Sequence, residues 1–455
     1  MSNGEPLSRD LASWAHDITL ASLPANVVEA MKVYVLDDLA GGLVGSRTPW
    51  AGMVLALARE SATSGVCTVF GKPDRTSPSY AAFVNGTMIG GFETDHIYSS
   101  ASSHPSAGSF SAVLAAAESR HSSGAAFLAA LTAAYEVCCR VGTAATRAVE
   151  DERGFHGPGT NAAFGAAVGS AKLMGLDKAG MLNALGIAGS HAGGLLEFHH
   201  EGAMTKRIHP GRGAQMGYEC AVLASQGFTG PSTVLEGEQG FFNVYSPSPR
   251  PELLTLELGR HWHLLGITIK GFSTHVTCQP VVEGIFRFKQ QQAIDPASIE
   301  AVVIRTGGRY VESRFGEREA TTVMGAQYSL PFSTAISLCH DGGDPRSYSQ
   351  AVVDDPQVRR VALATQVVDT PGYGHPGQPT AEVTIRAGGH VHTFTVTGFK
   401  GEPANPFSYD EMADKFRRYC ADTLPEANRE AIIDRVRHIE GVADMAEVAG
   451  LMGAG

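Results

Sequence analysis

Apolar positions along this chain recur mostly at helical spacing. Leu7, Leu11, Trp14 and Ile18 fall four, three and four residues apart, on one face of a helix. Ser22-Leu-Pro24 signals a new start, with Ser22 as cap and Pro24 in the first turn; Val28, Met31, Val35 and Leu39 carry that helix to Gly41-Gly42. Asp37 and Asp38 lie on it, and paired acids near a helix end predict solvated or capping side chains. Further helices are expected over Trp50 to Ala62, Ser77 to Gly91, Ser109 to Ser119, Ala125 to Ala145, Thr160 to Met174 and Asp177 to Ala192. Cys67-Thr-Val-Phe70 reads as a short extended segment and Gly154-Phe-His-Gly-Pro-Gly159 as a rigid break. The stretch Met204 to Ala214 contains a proline and two glycines, which predicts a loop leading into a helix from about Ala214 to Ser225. No sustained period-two pattern appears before about residue 260.

The texture changes near residue 266. Ile267 to Lys270 and Ile299 to Arg305 are strand-like, and Ala381 to Arg386 and Val391 to Val396 flank Ala387-Gly-Gly-His390 as a hairpin. Pro280 to Phe288, Ala326 to Leu338 and Asp355 to Ala364 read as helices, the last capped by Asp354 or Asp355. Residues 266–402 therefore predict a mixed α+β unit. Lys400-Gly-Glu-Pro403 is a linker, and helix returns from Ser408 with Tyr409, Met412, Phe416 and Tyr419 on one side. This pattern predicts a mainly α protein: a large all-helical domain made of residues 1–265 and 403–455, and a smaller α+β domain between them.

Composition narrows the function. A chain of 455 residues with 43% apolar and 18% charged residues buries a large core. A formal net charge of −11, with no basic arm or stripe, argues against nucleic acid as a partner. No run of about 18 uncharged apolar residues predicts a membrane span. The polar start Met1-Ser-Asn-Gly-Glu-Pro6 lacks the apolar core of a signal peptide. The cysteines, at 67, 138, 139, 220, 278, 339 and 420, are odd in number and form no Cys-x-x-Cys, the pattern of a reduced, cytoplasmic protein without a local zinc signature. His199-His200-Glu201 is not His-Glu-x-x-His, and adjacent histidines on a helix diverge, so no metal and no cofactor is expected. Gly-x-Ser-x-Gly, a Walker loop and a dinucleotide fingerprint are all missing.

The chemistry-bearing side chains lie in loops and at element ends: Glu93, Asp95, His96, His104, His156, Lys206, His209, Lys270, His275 and Tyr328. Histidine is the usual proton-transfer group near neutral pH, a neighbouring carboxylate orients it, and lysine or arginine neutralises carboxylates and enolate-like charge. Lys206, Arg207, His209 and Arg212 fall within seven residues, beside a helix start, which is where a small anion is held. The alternatives at this level are a solvated basic turn and ordinary surface or core histidines.

Phe92-Glu-Thr-Asp95 with His104-Pro105, Gly154-Phe-His156, Thr205-Lys-Arg-Ile-His-Pro-Gly211, Gly227-Phe-Thr-Gly-Pro231, Ile269-Lys270 with His275, Gln327-Tyr-Ser-Leu-Pro331, and Lys400-Gly with Asn405-Pro406 occur in this order. In that order and spacing the chain resembles the MmgE/PrpD family over nearly its whole length. The family's activities include 2-methylcitrate dehydratase, cis-aconitate decarboxylase and iminodisuccinate epimerase. The resemblance implies a helical domain with an inserted α+β lid, a homodimer, and a metal-free site for a small polycarboxylate between domain and lid. By motif match, His104, His156, Asp95 and Tyr328 are the expected catalytic groups. Lys206, Lys270, Arg207, His209 and His275 are the expected substrate holders. The expected reaction is proton transfer alpha to a carboxylate, leading to dehydration, decarboxylation or epimerisation; a non-catalytic anion-binding protein is the rival. Three positions depart from the pattern: His96 stands where a second acid is common, Phe332 where a tyrosine is common, and Ser-Ala-Gly, not Ser-Asp, follows His104-Pro105.

Overall fold

The structure, a computed structural model, describes residues 6–61, 65–312, 315–375 and 377–453. The polar start Met1 to Glu5 and Ala62, the last residue of an expected helix, lie outside these. The chain is mainly α-helical and divides into two compact units, Met1–Thr268 with Ser408–Gly455, and Ile269–Phe407.

The first unit is built on helices rich in alanine and glycine. Helix Ala25–Gly45 is buried without a break from Met31 to Gly45, because its sequence there is apolar on every side apart from Lys32, Asp37 and Asp38. Its cap is Pro24; Ser22 instead closes a capping box with Thr19 in the 3-10 turn before it. Helix His209–Ser225 packs on helices Pro78–Gly90 and Ala162–Leu173. That packing is close because glycines face backbone. A Cβ on Gly211 would lie 2.4 Å from the Phe83 carbonyl oxygen, and one on Gly217 would lie 2.7 Å from that of Ala163. The unit is not wholly helical: Cys67–Thr68 and Arg75–Thr76 form a two-residue antiparallel ladder. Among the described residues one helix, Gly124–Ala145, is long and apolar enough to cross a membrane; most of its residues are buried inside the protein, and its Glu136 and Arg140 pair at 2.7 Å.

In the second unit a four-stranded sheet has the order Thr365–Asp369, Ile299–Thr306, Ala381–Ala387, His390–Val396. The first pair is parallel and the others antiparallel. Burial alternates along Ala381–Ala387, with Ala381, Val383, Ile385 and Ala387 inside, as expected for a strand with one covered face. Three features differ from the sequence expectation. Strand Thr365–Asp369 is unforeseen, because it is short and mostly exposed. The helix expected over Ala326 to Leu338 is broken: Val323–Tyr328 ends, and Ser329 caps Leu330–Cys339 by accepting from the Phe332 N–H. Ile267 to Lys270 forms no strand; only Thr268, at the end of the first unit, makes an isolated bridge, with Ile97.

Candidate active site

Within the first unit the polar segment after helix Pro78–Gly90 is a fixed loop. Tyr98 and Ser103 bridge across it, and Ser102 turns it with φ of 48°. Glu93 also holds a positive φ, 56°, a strained conformation for a residue other than glycine. The turn brings His104 back to Asp95, whose Oδ2 lies 2.6 Å from His104 Nδ1. Asp95 is buried and His104 half-buried. A carboxylate on Nδ1 leaves Nε2 as the free nitrogen of His104.

His156 precedes the turn Gly157–Thr160, its N–H donating to the Gly194 carbonyl at 2.9 Å. Its Nδ1 is 2.9 Å from His209 Nδ1. Burial, followed by the positive charge of Lys206 and the nearby His209, pushes the His156 imidazole well below its usual range, so the ring is neutral at physiological pH. Burial likewise lowers His209. Glu150, near His104, is pushed up by burial while His104 opposes that shift.

The basic stretch is not a loop. Met204–Ile208 is a 3-10 turn and the long helix starts at His209, because Pro210 is well placed in a first turn. Its cations have separate surroundings. Lys206 pairs with Glu93. Arg207 is buried, donates to the Gly91 carbonyl and stacks 3.6 Å over the Trp50 ring. Arg212 reaches Gln215 Oε1 at 2.5 Å and lies over Phe83. Beside the start of this helix is a cavity of about 500 Å³, lined among others by His191, Gly194, Phe198, Thr205, His209 and Arg212.

Asp37 and Asp38 are neither solvated nor capping; each is 1% exposed. Asp37 Oδ1 takes Lys415 Nζ at 2.5 Å, and its Oδ2 lies 2.9 Å from His96 Nε2. Asp38 accepts from Tyr135 and Ser106. The Ser106 hydroxyl in turn accepts from the His96 N–H at 3.1 Å. The segment holding Asp95 and His104 is thus fastened to helix Ala25–Gly45 at both of its ends.

In the second unit Lys270 is buried, at 2% exposure. The rings of His275, Phe315 and Tyr328 form a triangle, with His275 at centroid distances of 4.8 Å from Phe315 and 4.6 Å from Tyr328, and those two 6.4 Å apart. Both His275 and Tyr328 are half-buried.

Residues 9–254 match the MmgE/PrpD N-terminal domain, and residues 272–439 match the MmgE/PrpD C-terminal domain. The chain belongs to the MmgE/PrpD family. Among relatives, it is 27% identical to the cis-aconitate decarboxylase-like protein oryM of Aspergillus oryzae, over 98% of this chain and 97% of that one. It is 28% identical to the cis-aconitate decarboxylase of Homo sapiens, over 98% and 94%. With the cis-aconitate decarboxylase of Aspergillus terreus it shares 29% identity over 63% of this chain and 60% of that one.

In this MmgE/PrpD chain the first unit brings together Asp95, His104, His156, Lys206 and His209, from three segments spread between residues 95 and 209. Arg207, expected as a substrate holder, is engaged by the Trp50 ring and the Gly91 carbonyl. Among the described residues no group of three or more His, Cys, Asp or Glu side chains is arranged to hold a metal ion. Sequence reasoning missed the pairing of His156 with His209, the nearby Glu150, and the Asp37–His96–Lys415 cluster. One signal for the cluster was available: after Lys32 the helix is apolar on every side but for these two acids, so they must be buried, and buried acids need partners.

Proposed function

We propose that the chain is a lyase acting on a small polycarboxylate, and specifically a decarboxylase of cis-aconitate or a close tricarboxylate analogue. The observation that carries this reading is the set of two oriented histidines, Asp95–His104 and His156–His209, with Lys206 in the electrostatic neighbourhood of His156. The names of the relatives support decarboxylation among the chemistries open to such a site.

Lys206 holds a substrate carboxylate by charge. Loss of carbon dioxide leaves an electron pair delocalised toward the remaining carboxylates, and a neighbouring cation lowers the energy of that charge. One proton must then be added to carbon, so that a trianion and a proton become a dianion and carbon dioxide. His104, oriented by Asp95, is assigned to that transfer. Neutral His156 is assigned as a hydrogen-bonding group to the substrate. Lys270, His275 and Tyr328 are kept as further substrate and catalytic candidates on the family resemblance, and Arg207 as a residue that holds the start of the His209 helix. We also propose a metal-independent, cytoplasmic homodimer, to be checked by activity after chelation and by sedimentation.

Proton NMR of the chelator-treated protein in deuterated water tests the reading, with cis-aconitate, 2-methylcitrate and iminodisuccinate supplied in turn. The expected result is loss of carbon dioxide from cis-aconitate with one deuterium entering the product. His104→Ala and His156→Ala should each lower kcat by at least about a hundredfold without loss of fold. Water elimination from 2-methylcitrate would make the protein a dehydratase, and exchange without bond cleavage an epimerase. Near-native rates in both variants would remove the histidine assignment, and inertness toward every acid would favour a non-catalytic anion-binding protein.

A further inference from the structure

Two neutral imidazoles in contact through the same nitrogen cannot be equivalent. Each carries one N–H, so at the 2.9 Å contact between His156 Nδ1 and His209 Nδ1 one ring donates and the other accepts. The donor is left with a bare Nε2. The acceptor carries its hydrogen on Nε2. Which ring is which decides whether the free edge of His156 offers a proton or a lone pair.

We infer that His209 is a positioning residue that fixes the tautomer of His156: His209 donates from Nδ1, so His156 accepts there and presents an Nε2–H. This rests on the carboxylate reading of the site. A lone pair on His156 Nε2 would repel a carboxylate, whereas an N–H donates to it. The surroundings of the two rings agree with that direction. His209 lines the cavity of about 500 Å³ together with Thr205 and the exposed Arg212, whose side chains carry hydrogen-bond donors for a bare Nε2. His156 is not part of that lining and is 6% exposed.

The contact is built into the backbone. Gly194 accepts the His156 N–H at 2.9 Å, which sets the height of that ring. The same glycine lies against His209, where a Cβ would stand 3.1 Å from Nδ1, at the edge that makes the contact. Gly194 also has φ of 126°, which side chains rarely adopt. Phe198 packs edge-on to His156 and His209, at centroid distances of 5.1 and 5.8 Å, and limits rotation of both. A substrate holder would not need its Nδ1 turned toward another histidine; a tautomer-setting partner does.

The test is long-range nitrogen–proton correlation of the histidine rings in the full-length, isotope-labelled protein at neutral pH, with signals assigned from His156→Gln and His209→Asn. The expected result is His209 as the Nδ1–H form and His156 as the Nε2–H form. The reverse pair, or a cationic His156, would overturn the inference. Activity provides the second arm. His209→Asn keeps a donor close to the Nδ1 position and should hold kcat within about threefold, while His209→Leu should lower kcat by tenfold or more, on the order of a misassigned tautomer's effect, with KM less affected. Equal loss in both variants would also overturn it. The ring signals need no substrate, so an inert wild-type protein would count against the decarboxylase reading and leave the tautomer measurement standing.

Discussion

Asp37 and Asp38 are neighbours on one buried helix, yet their carboxyls are driven in opposite directions. Burial would raise Asp37, but Lys415 and then His96 outweigh it and hold it below its usual range. Burial raises Asp38 to about 7, with His96 and Tyr135 offsetting only part of that shift. The signs follow from proton linkage. Ionised Asp37 stabilises the fold at neutral pH, and that contribution is lost as pH falls through its lowered folded value, below about pH 4. The folded protein retains the Asp38 proton where the unfolded chain releases it, so this contribution falls as pH rises from about 4 to about 7. His96, raised by its two aspartates against burial, adds stability below its unfolded value that is lost as pH climbs through the higher folded one. Asp38→Asn, which cannot ionise, should therefore gain on the wild type across the pH 4 to 7 interval, by at most a few kcal/mol, in urea-unfolding midpoints. Asp37→Asn should cost about 3–5 kcal/mol at neutral pH, because it removes one partner of a buried ion pair with Lys415. Sequence inspection placed both acids correctly on a helix. It could not see Lys415, almost four hundred residues away, which makes the burial tolerable.

Helix His209–Ser225 links packing to the site. It carries His209 at its first turn, and it can sit against helix Pro78–Gly90 only because Gly86 and Gly211 face each other; a Cβ on Gly86 would lie 2.9 Å from the Gly211 Cα. Overpacking such a contact costs about 1–3 kcal/mol, and the backbone atoms that a Gly211 Cβ would meet cannot rotate away. Gly211→Ala should lower stability by about that amount in urea titrations and should reduce kcat beyond the effect on stability, since the His209 ring shifts with the helix. An unchanged kcat would separate the helix position from catalysis. At this scale the sequence was read well where periodicity was strong, as in Leu7–Asp17, Gly124–Ala145 and Tyr409–Tyr419. It was misread where a helix begins on a proline inside a glycine-rich run, as at Pro210, because glycine and proline signal a turn and a helix start alike. The edge strand Thr365–Asp369 lacks an alternating apolar face for a related reason: its partner, Ile299–Thr306, supplies the pairing.

Across the molecule, the first unit draws on both ends of the chain. Helix Tyr409–Tyr419 packs on Ala25–Gly45, and its Lys415, 2% exposed, completes the charge balance that includes His96, the residue beside Asp95. A chain ended before Ser408 would leave Asp37 and His96 without that cation and uncover the apolar side of the Ala25 helix. It should lose cooperative thermal unfolding; a melting curve matching that of the full chain would show that the last 48 residues are dispensable to the fold.

Local pattern by itself determined the helical character, the hairpin around Gly388-Gly389, and the residue types available for proton transfer, because periodicity, turn chemistry and side-chain acidity are properties of short segments. Motif order across the chain identified the family. Tertiary structure alone decided that His104 turns to Asp95 and His156 to His209, and that Arg207 is stacked on Trp50. It alone decided that two acids on a core helix are held by a histidine and a distant lysine. These pairings depend on distances between segments far apart in the chain and on the loss of water around them, and neither quantity is encoded in any single stretch of sequence.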